Sequence, residues 1–157
     1  MNEKRPASTR TLLVNRKARH EYEVIDKVEA GLVLLGTEVK SIRANRVSMG
    51  DAYAVIDGDE AWLLNLNVNS YPQANQFNHE PLRKRKLLLH KTEIHRLRTR
   101  VQEKGLTLVP LTLLLRNNRV KVELGICRGK KLHDKRETMA KRDATREMDR
   151  ARRGRDR

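Results

Sequence analysis

The chemistry this chain offers first is clustered positive charge. Arg16, Lys17, Arg19 and His20 fall within five residues, and Arg83-Lys84-Arg85-Lys86 form an unbroken run. Arg96, Arg98 and Arg100 follow shortly after it. Cations set this closely can act together on backbone phosphates. The whole chain carries 35 Lys and Arg against 20 Asp and Glu, a formal charge of +15. A field of that sign attracts polyanions and gains free energy from counterion release on binding. Nucleic acid is therefore the first partner to consider, and an anionic membrane surface the second. Either cluster alone would pass as a solvated face kept for solubility. Two clusters and a basic C-terminal segment exceed what solubility asks for.

Other chemistries find less support. No run approaches the roughly 18 apolar residues of a spanning helix. The opening Met1-Asn2-Glu3-Lys4-Arg5-Pro6 leads into no apolar stretch, so no signal peptide is expected. Cys127 is the single cysteine, which excludes an internal disulfide or a multi-cysteine zinc site. It reads as a small apolar residue in a strand, and a reducing cytoplasm is the expected location. GxxxxGK[ST], GxSxG and HExxH motifs are all missing, and His20, His79, His90, His95 and His133 are scattered. No cofactor or metal is expected. A nuclease built on Glu21, Glu29 or Glu38 is the remaining enzymatic alternative. The aromatics are Tyr22, Tyr53, Trp62, Tyr71 and Phe77. So small a supply, with Trp62 and Tyr53 expected in the core, favours recognition of a folded RNA by shape and phosphates over base stacking.

The elements that must position these charges are short. Residues 1–14 read as a loose basic arm, and Asn15 to His20 as a charged lead-in to the first strand. Tyr22, Val24, Val28, Leu32 and Leu34 keep an approximate period of two, interrupted at Ala30-Gly31, which predicts two strands. Thr37 is placed to cap a helix through Arg43. Asp51 to Val68 alternates around a hairpin signal at Asp57-Gly58-Asp59. Asn65 to Asn78 reads as a loop. A second helix is predicted from Thr92 to a stop at Gly105. Leu106–Leu115 and Arg119–Arg128 form a hairpin about Asn117-Asn118, two residues tolerant of positive φ.

Beyond Gly129 the composition changes. Residues 130–157 hold 12 basic and 6 acidic side chains and no aromatic. Such a segment cannot bury enough surface to offset the entropy of ordering it, although pairs such as Glu137–Lys141 support helix. A tail disordered when free and helical when bound is expected. The pattern predicts a mainly β domain over 15–129, about six short antiparallel strands with two flanking helices. A closed barrel of the OB type fits, and periodicity leaves another small α+β barrel open.

Several segments, in order, resemble the SsrA-binding protein family. They are Asn15-Arg16-Lys17-Ala18-Arg19-His20-Glu21-Tyr22, Glu29-Ala30-Gly31, and Gly36-Thr37-Glu38-Val39-Lys40-Ser41-Ile42-Arg43. Asp51-Ala52-Tyr53, Arg85-Lys86-Leu87-Leu88-Leu89, Lys104 to Pro110 and Gly129 to Glu137 complete the series. Leu114 and Leu115 depart from it, standing where many members carry aromatics, and suggest apolar packing there. The resemblance implies an OB-type barrel that grips the elbow of the tRNA-like domain of transfer-messenger RNA. It also implies a tail that enters the decoding centre and empty mRNA channel of the small ribosomal subunit, against 16S rRNA. Alanyl-tRNA synthetase and elongation factor Tu would act in the same pathway. By motif, the RNA face would include Asn15, Arg16, Arg19, His20, Glu29, Lys86 and Leu88. The decoding-centre segment would include Gly129, Lys130, Lys131, His133, Asp134, Lys135 and Arg136. The alternative is a ribosomal protein or general RNA chaperone on the same scaffold.

Overall fold

The computed structural model describes residues 8–129 and 132–155, with the backbone alone at 75–77, 103–104, 132–141 and 154–155. In chain order the elements are β1 (Thr9–Val14), α1 (Arg16–Glu21), β2 (Tyr22–Leu32), α2 (Gly36–Arg43), β3 (Val47–Ser48), β4 (Tyr53–Asp57) and β5 (Glu60–Leu64). They continue with β6 (Asn67–Val68), a 3-10 turn (Pro72–Phe77), β7 (Arg85–Leu88), α3 (Lys91–Lys104), β8 (Thr107–Arg116), β9 (Arg119–Gly129) and α4 (Leu132–Arg155).

Six strands close on themselves in the order β8-β4-β5-β7-β2-β9, with β9 returning to β8, and every pairing is antiparallel. The expected barrel of about six strands with flanking helices is what forms. Alternation places Ala54, Ala61, Leu63, Leu87, Val122 and Leu124 inside, and Ile42 of α2 and Ile94 and Leu97 of α3 join the same core. Its hairpins follow their turn residues. Gly58 has φ 60°, and Asn117 and Asn118 have φ 51° and 63°. Positive φ at both central positions is what a two-residue hairpin turn of matching twist requires. Gly105, with φ 61°, ends α3 in the left-handed conformation. Leu114 and Leu115 are buried, in line with apolar packing.

Several expectations need correction. Residues 9–14 are not a loose arm: they form β1, whose backbone pairs with Thr112–Arg116 of β8. Leu12 and Leu13 of this strand pack against the core, and residues 1–7 of the expected arm lie outside the described residues. Asn15 to His20 is mostly helical, capped by Asn15. β2 runs unbroken through Ala30-Gly31, because Gly31 pairs with both Leu88 and Lys121. The Asn-rich segment holds β6 and the 3-10 turn. α2 and α3 each begin one residue before the threonine expected to cap them, and Thr37 instead meets His79 Nδ1 at 2.9 Å. Tyr53 and Trp62 point outward: Tyr53 is exposed, and Trp62 lies half-buried beneath Lys84, whose Nζ is 4.2 Å from the ring centroid. Cys127 is buried as expected, and burial pushes its thiol up to about 11.

The run Arg83-Lys84-Arg85-Lys86 is not one patch. Strand alternation sends Arg85 inward with Leu87, and Lys86 outward. The Arg85 and Glu38 side chains are both 0% exposed, joined through Arg85 Nε and Glu38 Oε2. Arg85 also donates to the carbonyls of Leu66 (2.6 Å), Arg83 (2.9 Å) and Pro81 (3.1 Å). Glu38 accepts from Arg83 Nη2 and from the Leu35 N–H at 2.8 Å. Burial opposes ionisation of Glu38, but the bonds from Arg83 and Leu35 and the charge of Arg85 outweigh it and hold the carboxyl below its ordinary range. Glu38→Gln strands a buried cation, and loss of one partner of such a pair costs about 3–5 kcal/mol. Urea unfolding should show that loss. A depressed carboxyl stabilises the fold above its free value of 4.5 and loses that effect as pH falls through the lower folded value. In Glu38→Gln this part of the acid sensitivity should vanish.

Candidate nucleic-acid interface

The first basic cluster is held in place by Asn15. Its Oδ1 accepts the Ala18 N–H at 3.1 Å, which caps α1, while its Nδ2 donates to Pro110 O at 2.9 Å and Met49 O at 3.3 Å. Its own N–H donates to Leu111 O at 2.8 Å. The two acceptors on β8, Pro110 O and Leu111 O, lie at a bulge that shifts the β8–β9 register between Pro110 and Thr112. Ala18 then settles into a second small core with Val109, Leu111 and Cys127, against Tyr22 and Val24. Arg16, Lys17 and Arg19 consequently face solvent and His20 is half-buried. Lys17 reaches Asp51 at 2.8 Å, and that hydrogen bond and charge raise its pKa. Asn15 itself is 4% exposed, with its polar atoms engaged. Its side chain thus holds the start of α1 against β8.

The second group spans three strands. Gly31 of β2 pairs with Leu88 of β7 on one side and Lys121 of β9 on the other. A Cβ on Gly31 would lie 3.2 Å from Leu88 Cβ and 3.5 Å from Lys121 Nζ. Both side chains thus lie across the glycine. Leu88 is 53% exposed. It lines a recess of about 270 Å³ with Gly31, Leu34, Val39, Arg119 and Lys121 among its walls. Glu29 stands two residues along β2, gripped by the Arg116 fork at 2.9 and 2.8 Å. Lys86, two residues from Leu88, approaches Glu60 at 3.3 Å. An apolar patch rimmed by cations can pack on a sugar or base while the cations take adjoining phosphates.

The two groups are not one face. Tyr22, directly after α1, pairs with Gly129 at one end of β2, while Gly31 pairs with Lys121 at the other. Nine residues of strand separate them by roughly 30 Å. Arg16, Arg19 and His20 therefore share their pole with Gly129, where the tail departs. Glu29, Lys86 and Leu88 occupy the opposite pole. α4 returns towards α1, and His20 shares a recess with Arg142, Asp143 and Arg146. Lys130 and Lys131 lie outside the described residues. His133, Asp134, Lys135 and Arg136 lie in the first turns of α4, where the backbone alone is described. Lys121 was missed in the sequence, although its alternation with Val122 and Leu124 puts it on the outer face. Among the described residues, no three His, Cys, Asp or Glu side chains gather as metal ligands.

The family model described as SmpB protein matches residues 12–154 of the chain. This chain belongs to the SmpB family. An SsrA-binding protein of Carboxydothermus hydrogenoformans is 57% identical over 141 residues, covering 90% of this chain and 95% of the relative. That of Symbiobacterium thermophilum is 58% identical over 142 residues, covering 90% of each. A chain in the solved structure "tmRNA-SmpB: a journey to the center of the bacterial ribosome" is 45% identical, with TM-score 0.68. The match covers 83% of this chain and 95% of that one. In this SmpB family member, Asn15 secures the first basic cluster. Asn15→Ala should cost about 1–2 kcal/mol through loss of the cap alone. Urea unfolding, with circular dichroism to confirm the fold, checks it.

Proposed function

We propose that this chain binds the tRNA-like domain of transfer-messenger RNA and delivers it to stalled ribosomes in trans-translation. The observation that carries the reading is 45% identity across 83% of the chain to a protein solved as tmRNA-SmpB in the bacterial ribosome. No similarity favours the ribosomal-protein or RNA-chaperone alternative. The chain acts by binding, without catalysis, in the cytoplasm. Alanyl-tRNA synthetase and elongation factor Tu charge and carry the same RNA.

The two poles divide the work. The pole of Glu29, Lys86, Leu88 and Lys121 takes the RNA elbow: the cations engage phosphates, and Leu88 packs on the sugar or base between them. Arg116 holds the Glu29 carboxylate where its oxygens can accept from a hydroxyl or base edge. The pole of Arg16, Arg19 and His20, from which the tail leaves at Gly129, faces the small subunit and its 16S rRNA. The tail beyond Gly129 is a separate functional unit of the protein, with Lys130, Lys131, His133, Asp134, Lys135 and Arg136 in the decoding centre.

This arrangement separates two kinds of affinity loss at the elbow pole. Lys121→Ala should weaken binding of the tRNA-like domain and reduce its salt slope by about one unit, as loss of one phosphate contact does. Leu88→Ala should weaken binding with the slope unchanged, because no counterion is involved. Filter binding across a salt series distinguishes them, and an unchanged affinity in both variants would remove this recess from the interface. Changing Asp134, Lys135 and Arg136 together to Ala should leave that affinity intact and abolish peptide tagging in a translation assay.

A further inference from the structure

Beside the elbow recess the barrel mouth carries a second hollow, of about 370 Å³. Its walls are Ser8, Thr9 and Arg10 at the start of β1, Arg43 in the last turn of α2, and Asn118, with buried Leu115 below them. Asn118 also lines the Leu88 recess, so the two hollows meet at the tip of the β8–β9 hairpin. Arg10 and Arg43 are exposed, and neither guanidinium has a hydrogen bond or ion pair among the described residues. No lining residue is acidic. Two unpaired cations in one hollow repel each other, and an anion between them relieves that repulsion.

Strand register narrows the choice of anion. Arg10 lies opposite Leu115 of β8, which packs in the main core, so Arg10 projects towards the mouth of the barrel. Lys121 lies opposite Leu114, the neighbouring residue, and therefore on the outer face. β1 and β9 flank β8 at about 4.8 Å each, which puts the backbones of Arg10 and Lys121 about 10 Å apart on opposite faces. The turn at Asn117-Asn118 stands between the two faces. A polyanion seated at Lys121 reaches Arg10 and Arg43 by bending over this turn. On the proposed function that polyanion is an RNA backbone, and paired guanidinium donors match phosphate oxygens.

We propose that Arg10 and Arg43 form a second phosphate seat, across the hairpin tip from Lys121, by which the barrel mouth selects an RNA whose backbone bends sharply. The inference rests on the reading that the Leu88–Lys121 pole takes the elbow of the tRNA-like domain. It names how that pole tells an elbow from a straight helix. A straight duplex meets Lys121 and leaves the second seat empty.

The test is filter binding across a salt series, with the full-length wild type and Arg10→Gln/Arg43→Gln, against the tRNA-like domain and a straight RNA duplex of equal length. Both substituted positions are exposed, and circular dichroism confirms the fold. With the tRNA-like domain the double variant should lower the salt slope by about one unit, as loss of one phosphate contact does. With the duplex its slope and affinity should match the wild type. Adding Lys121→Ala should bring the total fall to about two units, because the two seats hold different phosphates. Arg10→Gln alone carries the same comparison if the pair misfolds. An unchanged slope with the tRNA-like domain would overturn the seat, and an equal loss on the duplex would reduce it to an unselective cationic field. A total fall of only about one unit with Lys121→Ala included would merge the two seats and overturn it as well. In each of these results a wild type that prefers the tRNA-like domain leaves the proposed function standing. A wild type that binds both RNAs alike overturns the function instead.

Discussion

Everything at the basic pole depends on one interruption in the β8 ladder. In a regular antiparallel pair the carbonyls of Pro110 and Leu111 would be committed to neighbouring strands. The bulge between Pro110 and Thr112 turns them towards Asn15. Proline suits such a position, having no N–H to leave unpaired. Val109 and Leu111 alternate onto the side that Ala18 covers, forming the second core, and the bulge after them returns Leu113 and Leu115 to the main core. Opposite the bulge, Gly125 must lack a side chain, since a Cβ there would come within 2.7 Å of Leu111 Cδ1 and 2.9 Å of Cys127 Sγ. A six-residue helix has little stability of its own. α1 persists because its cap, its buried alanine and the strand beneath it are fixed by this one irregularity.

The distribution of arginine and lysine follows from their physical differences. Arg85 spends its donors on a carboxylate and three carbonyls in the interior, where a planar fork can be satisfied completely. Lys84 and Lys86, on the same run, lie outside, over Trp62 and beside Glu60. Formal charge therefore overstates what this run offers to a phosphate. Desolvation and the paired Glu38 consume part of it. The cations left for recognition are those whose stems extend from outward strand positions or from the exposed side of α1.

Much of the frame was legible because it rests on local rules. Asn117-Asn118, Gly58 and Gly105 are demanded by backbone geometry, and alternation gave the ring of strands. What escaped was set by distant partners. β1 has no periodic signature of its own and exists because β8 offers it an edge. Ala30-Gly31 resembles a turn until Leu88 and Lys121 are seen to need the space. Arg85 looks like any surface arginine, yet counting back by two from the inward Leu87 would have placed it inside. Tyr53 and Trp62 were misplaced by the general rule that aromatics fill cores, although Ala54, Ala61 and Leu63 already occupy the inner positions around them. At the site, motif order found the participants but not their separation. Only the pairing of Tyr22 with Gly129, and of Gly31 with Lys121, puts them at opposite poles.

That separation constrains how the two ends can communicate. In the closed ring of six strands a one-residue shift would turn every inward side chain of the moving strand out. Contact at the Leu88–Lys121 pole therefore has no compliant path through the sheet to α1. The element free to change is α4, 24 residues long and so roughly 36 Å if straight. Its composition binds it weakly to the barrel by apolar contact, because residues 142–153 are all exposed and most of them are charged. Coupling between the poles must then arise from electrostatics: phosphates that neutralise one cluster alter how strongly the remaining cations repel the tail. On the proposed reading, a rigid barrel sets the distance and a charged helix supplies the response.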